Sequence, residues 1–126
     1  MYKRQVQGTD QTYQLAKKYK VKLAWGTDLL FNPANTNNQN QGILKLQKWF
    51  SNFEILKMVT HDNAELLALS GARNPYPGKL GSIEEEAWAD LILVDGDVLK
   101  DITLLGDPER NFAMIMKGGT IYKNRV

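Results

Sequence analysis

Apolar residues recur along the first half of the chain with a helical period, broken by polar stretches. Over residues 9 to 20, Thr12, Leu15, Ala16 and Tyr19 fall at i, i+3, i+4 and i+7 and predict a helix with one apolar stripe. Thr9 or Asp10 can cap its start, and Lys17, Lys18 and Lys20 suit the negative end of the macrodipole. Residues 21–25 (Val-Lys-Leu-Ala-Trp) read as a short strand that stops at Gly26. A helix followed closely by a strand is the αβ half of a parallel-sheet unit. Residues 32–41 turn abruptly to Asn, Gln, Thr and one Pro, which predicts a mobile surface loop because such a run buries little apolar area. Ile43, Leu46 and Phe50 then restart a helical stripe. Ser51 with Glu54 forms a capping box for a second helix, with Phe50 and Ile55 as its hydrophobic staple. Asp62 with Glu65 repeats the device for a third short helix, ended by Gly71 at C′.

Beyond Gly71 the pattern changes to β. Asn74-Pro75-Tyr76-Pro77-Gly78 reads as a turn, and residues 80–83 as a short strand. Leu91-Ile92-Leu93-Val94 is a continuous apolar strand closed by Asp95-Gly96. Residues 112–117, Gly118-Gly119 and residues 120–123 predict a hairpin, since the two glycines supply the positive φ angles of a type I′ turn. No internal repeat is visible.

Composition acts mainly by exclusion. The length of 126 residues suits one domain with its own core. Hydrophobic residues at 43% and charged residues at 24% are ordinary for a globular protein. Sixteen Lys and Arg against fourteen Asp and Glu leave +2, which argues against a nucleic acid or an anionic membrane as partner. Without cysteine there is neither a disulfide framework nor a Cys-based zinc site. No run of about 18 apolar residues spans a membrane. The basic start lacks the apolar run of a signal peptide, and the compartment stays open.

Three ordered segments carry a family resemblance. Val21-Lys22-Leu23-Ala24-Trp25-Gly26-Thr27-Asp28 comes first, and Met58-Val59-Thr60-His61-Asp62-Asn63-Ala64-Glu65-Leu66-Leu67 second. The third runs from Pro77-Gly78-Lys79-Leu80-Gly81-Ser82-Ile83 through Ala89-Asp90-Leu91-Ile92-Leu93-Val94-Asp95-Gly96 to Met116-Lys117-Gly118-Gly119-Thr120-Ile121-Tyr122. Together they resemble the C-terminal end of a metal-dependent amidohydrolase, of the branch that includes imidazolonepropionase-like and prolidase-like hydrolases. The resemblance implies an α+β fragment. Residues 1–73 would be the last αβ part of a (β/α)8 barrel with its following helices. Residues 74–126 would be part of the flanking β-domain with its C-terminal hairpin.

The resemblance also implies a site and what it lacks. Gly26-Thr27-Asp28 matches the end of the family's eighth barrel strand, making Asp28 the catalytic candidate, both metal ligand and proton shuttle. The family's other ligands are a His-x-His pair on the first strand, a Lys or Glu on the fourth, and His residues on the fifth and sixth. Those segments are not here, and zinc usually takes three protein ligands even in catalytic sites. A divalent metal, zinc foremost, is therefore expected in the full-length parent and none tightly bound here, where the isolated chain should be inactive. The parent would hydrolyse a C–N bond of a small-molecule or peptide substrate. The rival reading is a non-catalytic binding or assembly module derived from an amidohydrolase. Self-association, giving a homo-oligomer, is expected because a barrel strand without neighbours leaves backbone groups unpaired.

Other residues have plainer readings. Asp28 could simply cap the following turn. His61 is expected at N′, before an Asp62 cap and pointing away from it, and Glu84-Glu85-Glu86 in a solvated turn. Trp25, Trp49 and Trp88 are expected as core or interface anchors. The Asn/Gln run after Asp28 could overhang the site or be plain disorder.

Overall fold

The computed structural model describes residues 2–29, 33–76 and 78–126. The N-terminal helix α1 spans Tyr2–Lys18, starting well before residue 9. Its inner face is not the expected stripe. Ala16 is buried as expected, but Leu15 and Tyr19 are exposed and Tyr13 turns inward instead. The Tyr13 ring meets Trp49 at 4.8 Å and Phe50 at 5.1 Å between centroids. Asp10 accepts from Lys48 Nζ at 2.6 Å and Trp49 Nε1 at 2.7 Å. Aromatic packing and one bonded carboxylate thus choose the face. The helix closes through Lys20 N–H to Lys17 O and Val21 N–H to Ala16 O, with Lys20 left-handed at φ +51. These are the paired bonds of a Schellman ending, built here without glycine.

Residues 21–25 are not a strand: among the described residues no ladder pairs with them. The expected loop at 32–41 is largely helical, with a 3₁₀ turn Pro33–Asn38 running into α2, Gln39–Leu44; Asn32 lies outside the described residues. The amides there are put to use. Asn40 Nδ2 donates to Leu105 O at 2.9 Å, and Gln41 Nε2 to Gly106 O at 2.8 Å. Asn111 Nδ2 reaches Leu104 O at 2.9 Å, so three side-chain amides satisfy consecutive carbonyls of the 3₁₀ turn Ile102–Gly106.

The Ser51 capping box is present and starts α3, Asn52–Lys57. Phe50 and Ile55, the expected staple pair, are both buried. The second capping box does not form. The helix continues through a π-helical stretch, Met58–Asp62, into α4, Asn63–Ala68, so Asp62 is helical and makes no side-chain cap. Gly71, at φ +55, follows the end of this run. Residues 80–83 are not a strand either: Lys79 makes an isolated parallel bridge to Ala87, and Gly81 at φ +72 presses against the Thr60 carbonyl. Pro77 of this motif lies outside the described residues.

The C-terminal part follows expectation. Strands β1 (Leu91–Val94), β2 (Phe112–Lys117) and β3 (Thr120–Asn124) form an antiparallel sheet in that order, and helix α5, Pro108–Asn111, precedes β2. Gly118 and Gly119 take φ +55 and +79, as a type I′ turn requires. Asp90 Oδ1 accepts from Gly118 N–H at 2.6 Å, tying the turn to the residue before β1. The Trp88 ring lies against Gly78 and Gly118, where a Cβ would come within 2.5 and 3.3 Å of it. The core is Ile43, Leu46, Phe50, Ile55, Met58, Ile102, Leu105 and Phe112, drawn from both halves of the chain. No helix among the described residues is long and apolar enough to cross a membrane.

Candidate functional site

At Trp25, the backbone of the segment that ends at Asp28 is anchored by one side chain. Trp25 N–H donates to Asn63 Oδ1 at 2.8 Å, and Asn63 Nδ2 donates to Trp25 O at 3.0 Å. Three residues further on, Asp28 is exposed and left-handed at φ +51. Aspartate tolerates that conformation better than most residues. The carboxylate is therefore open, and its backbone is that of a turn residue.

A cleft of about 290 Å³ opens beside this segment, lined by the neighbours of Asp28 but not by Asp28 itself. Trp25, Thr27 and Leu29 line it from the Asp28 segment, Asn35, Asn38, Gln39 and Gln41 from the Asn/Gln run, and Lys45 from just beyond that run. The run thus shares this cleft with residues 25–27 and 29. The Trp25 ring fixes one wall, because a Cβ on Gly42 would lie 3.0 Å from its Cζ2.

The donors present do not complete a metal site at Asp28. Among the described residues one group of three could converge on an ion, His61, Asp62 and Glu65, with ligand atoms within 4.8 Å of one another, and Asp28 is not in it. His61 differs from its expected place. It lies inside the helical run with Nδ1 3.0 Å from Asp62 Oδ1 and 3.9 Å from Glu65 Oε2. The π-helical stretch brings these neighbours together where a cap would have parted them. Lysines already serve both carboxylates: Lys57 bonds Asp62, and Lys22 Nζ meets the two Glu65 oxygens at 3.0 and 2.9 Å. Burial pushes the Asp62 carboxyl up, but hydrogen bonds from Lys57 and His61 outweigh it and leave it below its ordinary value. Glu65 is also lowered, chiefly by its Lys22 bonds, and Lys22 is raised in return. The group is a surface ion-pair network joining the Asp28 segment to the helix. Glu84, Glu85 and Glu86 are all exposed in a turn with Glu86 at φ +65, as expected.

Asn63 escaped the sequence reading. The available signal was an asparagine within a helical stretch, since Asn competes for backbone bonds and is disfavoured in helix interiors unless its side chain bonds elsewhere.

No protein-family model matches the sequence, and no curated protein does. Solved structures do. The chain is similar to a crystal structure of an amidohydrolase at 29% identity and TM-score 0.76, over 90% of this chain and 25% of that one. It is similar to a prolidase crystallised with N-methylphosphonate-L-proline at 26% identity and TM-score 0.74, over 90% and 26%. Ochratoxinase of A. niger shares the fold at 24% identity and TM-score 0.70, over 89% and 24%. The chain spans about a quarter of the length of the structures it matches.

Proposed function

From a chain with the fold of the C-terminal part of an amidohydrolase, we propose that it contributes Asp28 to a metal-dependent hydrolase of C–N bonds in amides, peptides or cyclic amides. The observation that carries this reading is the open Asp28 carboxylate at the end of a segment whose backbone is anchored, between Thr27 and Leu29, which line a cleft together with side-chain amides. Residues 1–73 belong to the barrel part in this reading, and residues 74–126 to the flanking β-domain. The remaining ligands come from the rest of the parent, and the metal, zinc foremost, would polarise the scissile carbonyl when bound. The part of Asp28 is proton transfer. Its carboxylate accepts a proton from the attacking water and returns it to the leaving amine. Alone, the chain has one such donor and should be inactive.

The test is Asp28→Asn in the full-length parent, with bound metal and turnover of a dipeptide and lactam panel measured. An amide cannot accept and relay the proton, so turnover should fall by about 10²–10⁴-fold while metal content falls less. Near-normal turnover would leave Asp28 as a turn residue.

A further inference from the structure

We infer that Asn63 is a positioning residue for Asp28, its side-chain amide standing where a neighbouring strand would stand at Trp25. The functional part rests on the hydrolase reading, and the geometry does not. A primary amide offers the donor and acceptor of a peptide group, and Asn63 spends both on one residue, at 2.8 and 3.0 Å across 38 positions of sequence. This is how a ladder holds a strand, from a single point. No ladder pairs residues 21–25 among the described residues, so the clamp is where that segment's backbone is held to the helix.

The clamp is itself well seated. Asn63 is half-buried, and its own N–H reaches back five residues to Met58 O, closing the π-helical stretch. Its Nδ2 also lies 3.4 Å from Val59 O. Trp25, held in this way, presents its ring to Gly42 as a cleft wall and leads within three residues to Asp28. A loosened clamp frees the wall and the carboxylate together. At neutral pH an amide fits where these alternatives do not: leucine offers neither bond, and ionised aspartate offers an acceptor and sets a charge against the Trp25 carbonyl.

The experiment measures amide exchange by NMR in this 126-residue chain and kinetics in the parent. In Asn63→Leu the Trp25 N–H should exchange about tenfold faster while β2 amides keep their rates. Asn63→Asp, the variant to use if the leucine protein fails to fold, should show faster Trp25 exchange near neutral pH. Once corrected for intrinsic rates, protection should return at acid pH, because a neutral carboxyl again donates and accepts. In the parent, Asn63→Asp should lower kcat about tenfold or more at neutral pH with KM and bound metal little changed. Wild-type Trp25 exchange in both variants, a loss spread equally over β2, or an unchanged kcat would each overturn the inference. Asp28→Asn tests the hydrolase reading separately; if that fails, Trp25 exchange still decides the clamp.

Discussion

Glu54 shows how much a single side chain can do at a helix start. Its carboxylate accepts from the Ser51 N–H and hydroxyl, both at 2.8 Å, while Ser51 Oγ accepts from the Glu54 N–H at 3.3 Å. The Ser51 backbone bond first, and its hydroxyl second, hold the carboxyl below its ordinary value. A depressed pKa stabilises the fold above the unfolded value of about 4.3 and loses that contribution as pH falls through the lower folded value. Glu54→Gln should therefore destabilise at pH 7 by about 0.3–1 kcal/mol, the worth of a charge at a helix N-terminus, with the gap narrowing at a second, acid pH below the folded value. Urea unfolding at the two pH values measures it. A gap that persists in acid would assign the effect to shape rather than charge. This box was legible because both partners lie within four residues. The clamp by Asn63 was not, because its partner lies 38 residues away.

At the scale of elements, the segment after α4 is seated on the helix through Gly81. At φ +72, a Cβ there would lie 2.6 Å from the Thr60 carbonyl oxygen, which is backbone and cannot swing aside. Gly81→Ala should cost about 2 kcal/mol or more, from left-handed strain plus the displaced contact. Thermal melting would show it, and an unchanged midpoint would mean that the segment does not rest on the helix. The expected strand at 80–83 failed here: a close backbone approach at Gly81, which this short stretch does not reveal by itself, took the place of pairing. Residues 33–41 failed in the opposite sense. Their polar side chains were read as unable to pack, yet Asn40 and Gln41 cap carbonyls of a turn some 65 positions away.

For the whole molecule, an apolar groove of about 570 Å³ remains open between the helical run and the sheet, with Leu56, Val59, Ile92 and Val94 among its walls. Ile83 at its rim is 91% exposed, and Ile92 and Leu93 on β1 are half exposed. Patches of this kind mark association surfaces. A second copy of the chain is the proposed cover, pairing also the unladdered backbone at 21–25. Sedimentation equilibrium from micromolar to millimolar protein should show mass rising with concentration. A constant monomer mass would remove self-association and leave the groove to another part of the parent.

Local chemistry was enough wherever a signal and its partner lie within a few residues. The Ser51 box, the apolar run of β1 and the Gly118-Gly119 hairpin were all readable, because capping bonds, strand period and positive φ are short-range demands. The ordered motifs around Asp28, Asp62 and Asp90 also pointed to the amidohydrolase fold that solved structures share with this chain. Tertiary structure decided what needs distant partners. It chose which face of α1 turns inward and whether Asp62 caps or continues a helix. It also decided whether the backbone at Trp25 is held by a strand or by one asparagine. The face of α1 and the hold on residues 21–25 depend on hydrogen bonds or ring contacts between residues far apart in sequence, and neither period nor composition encodes such a meeting.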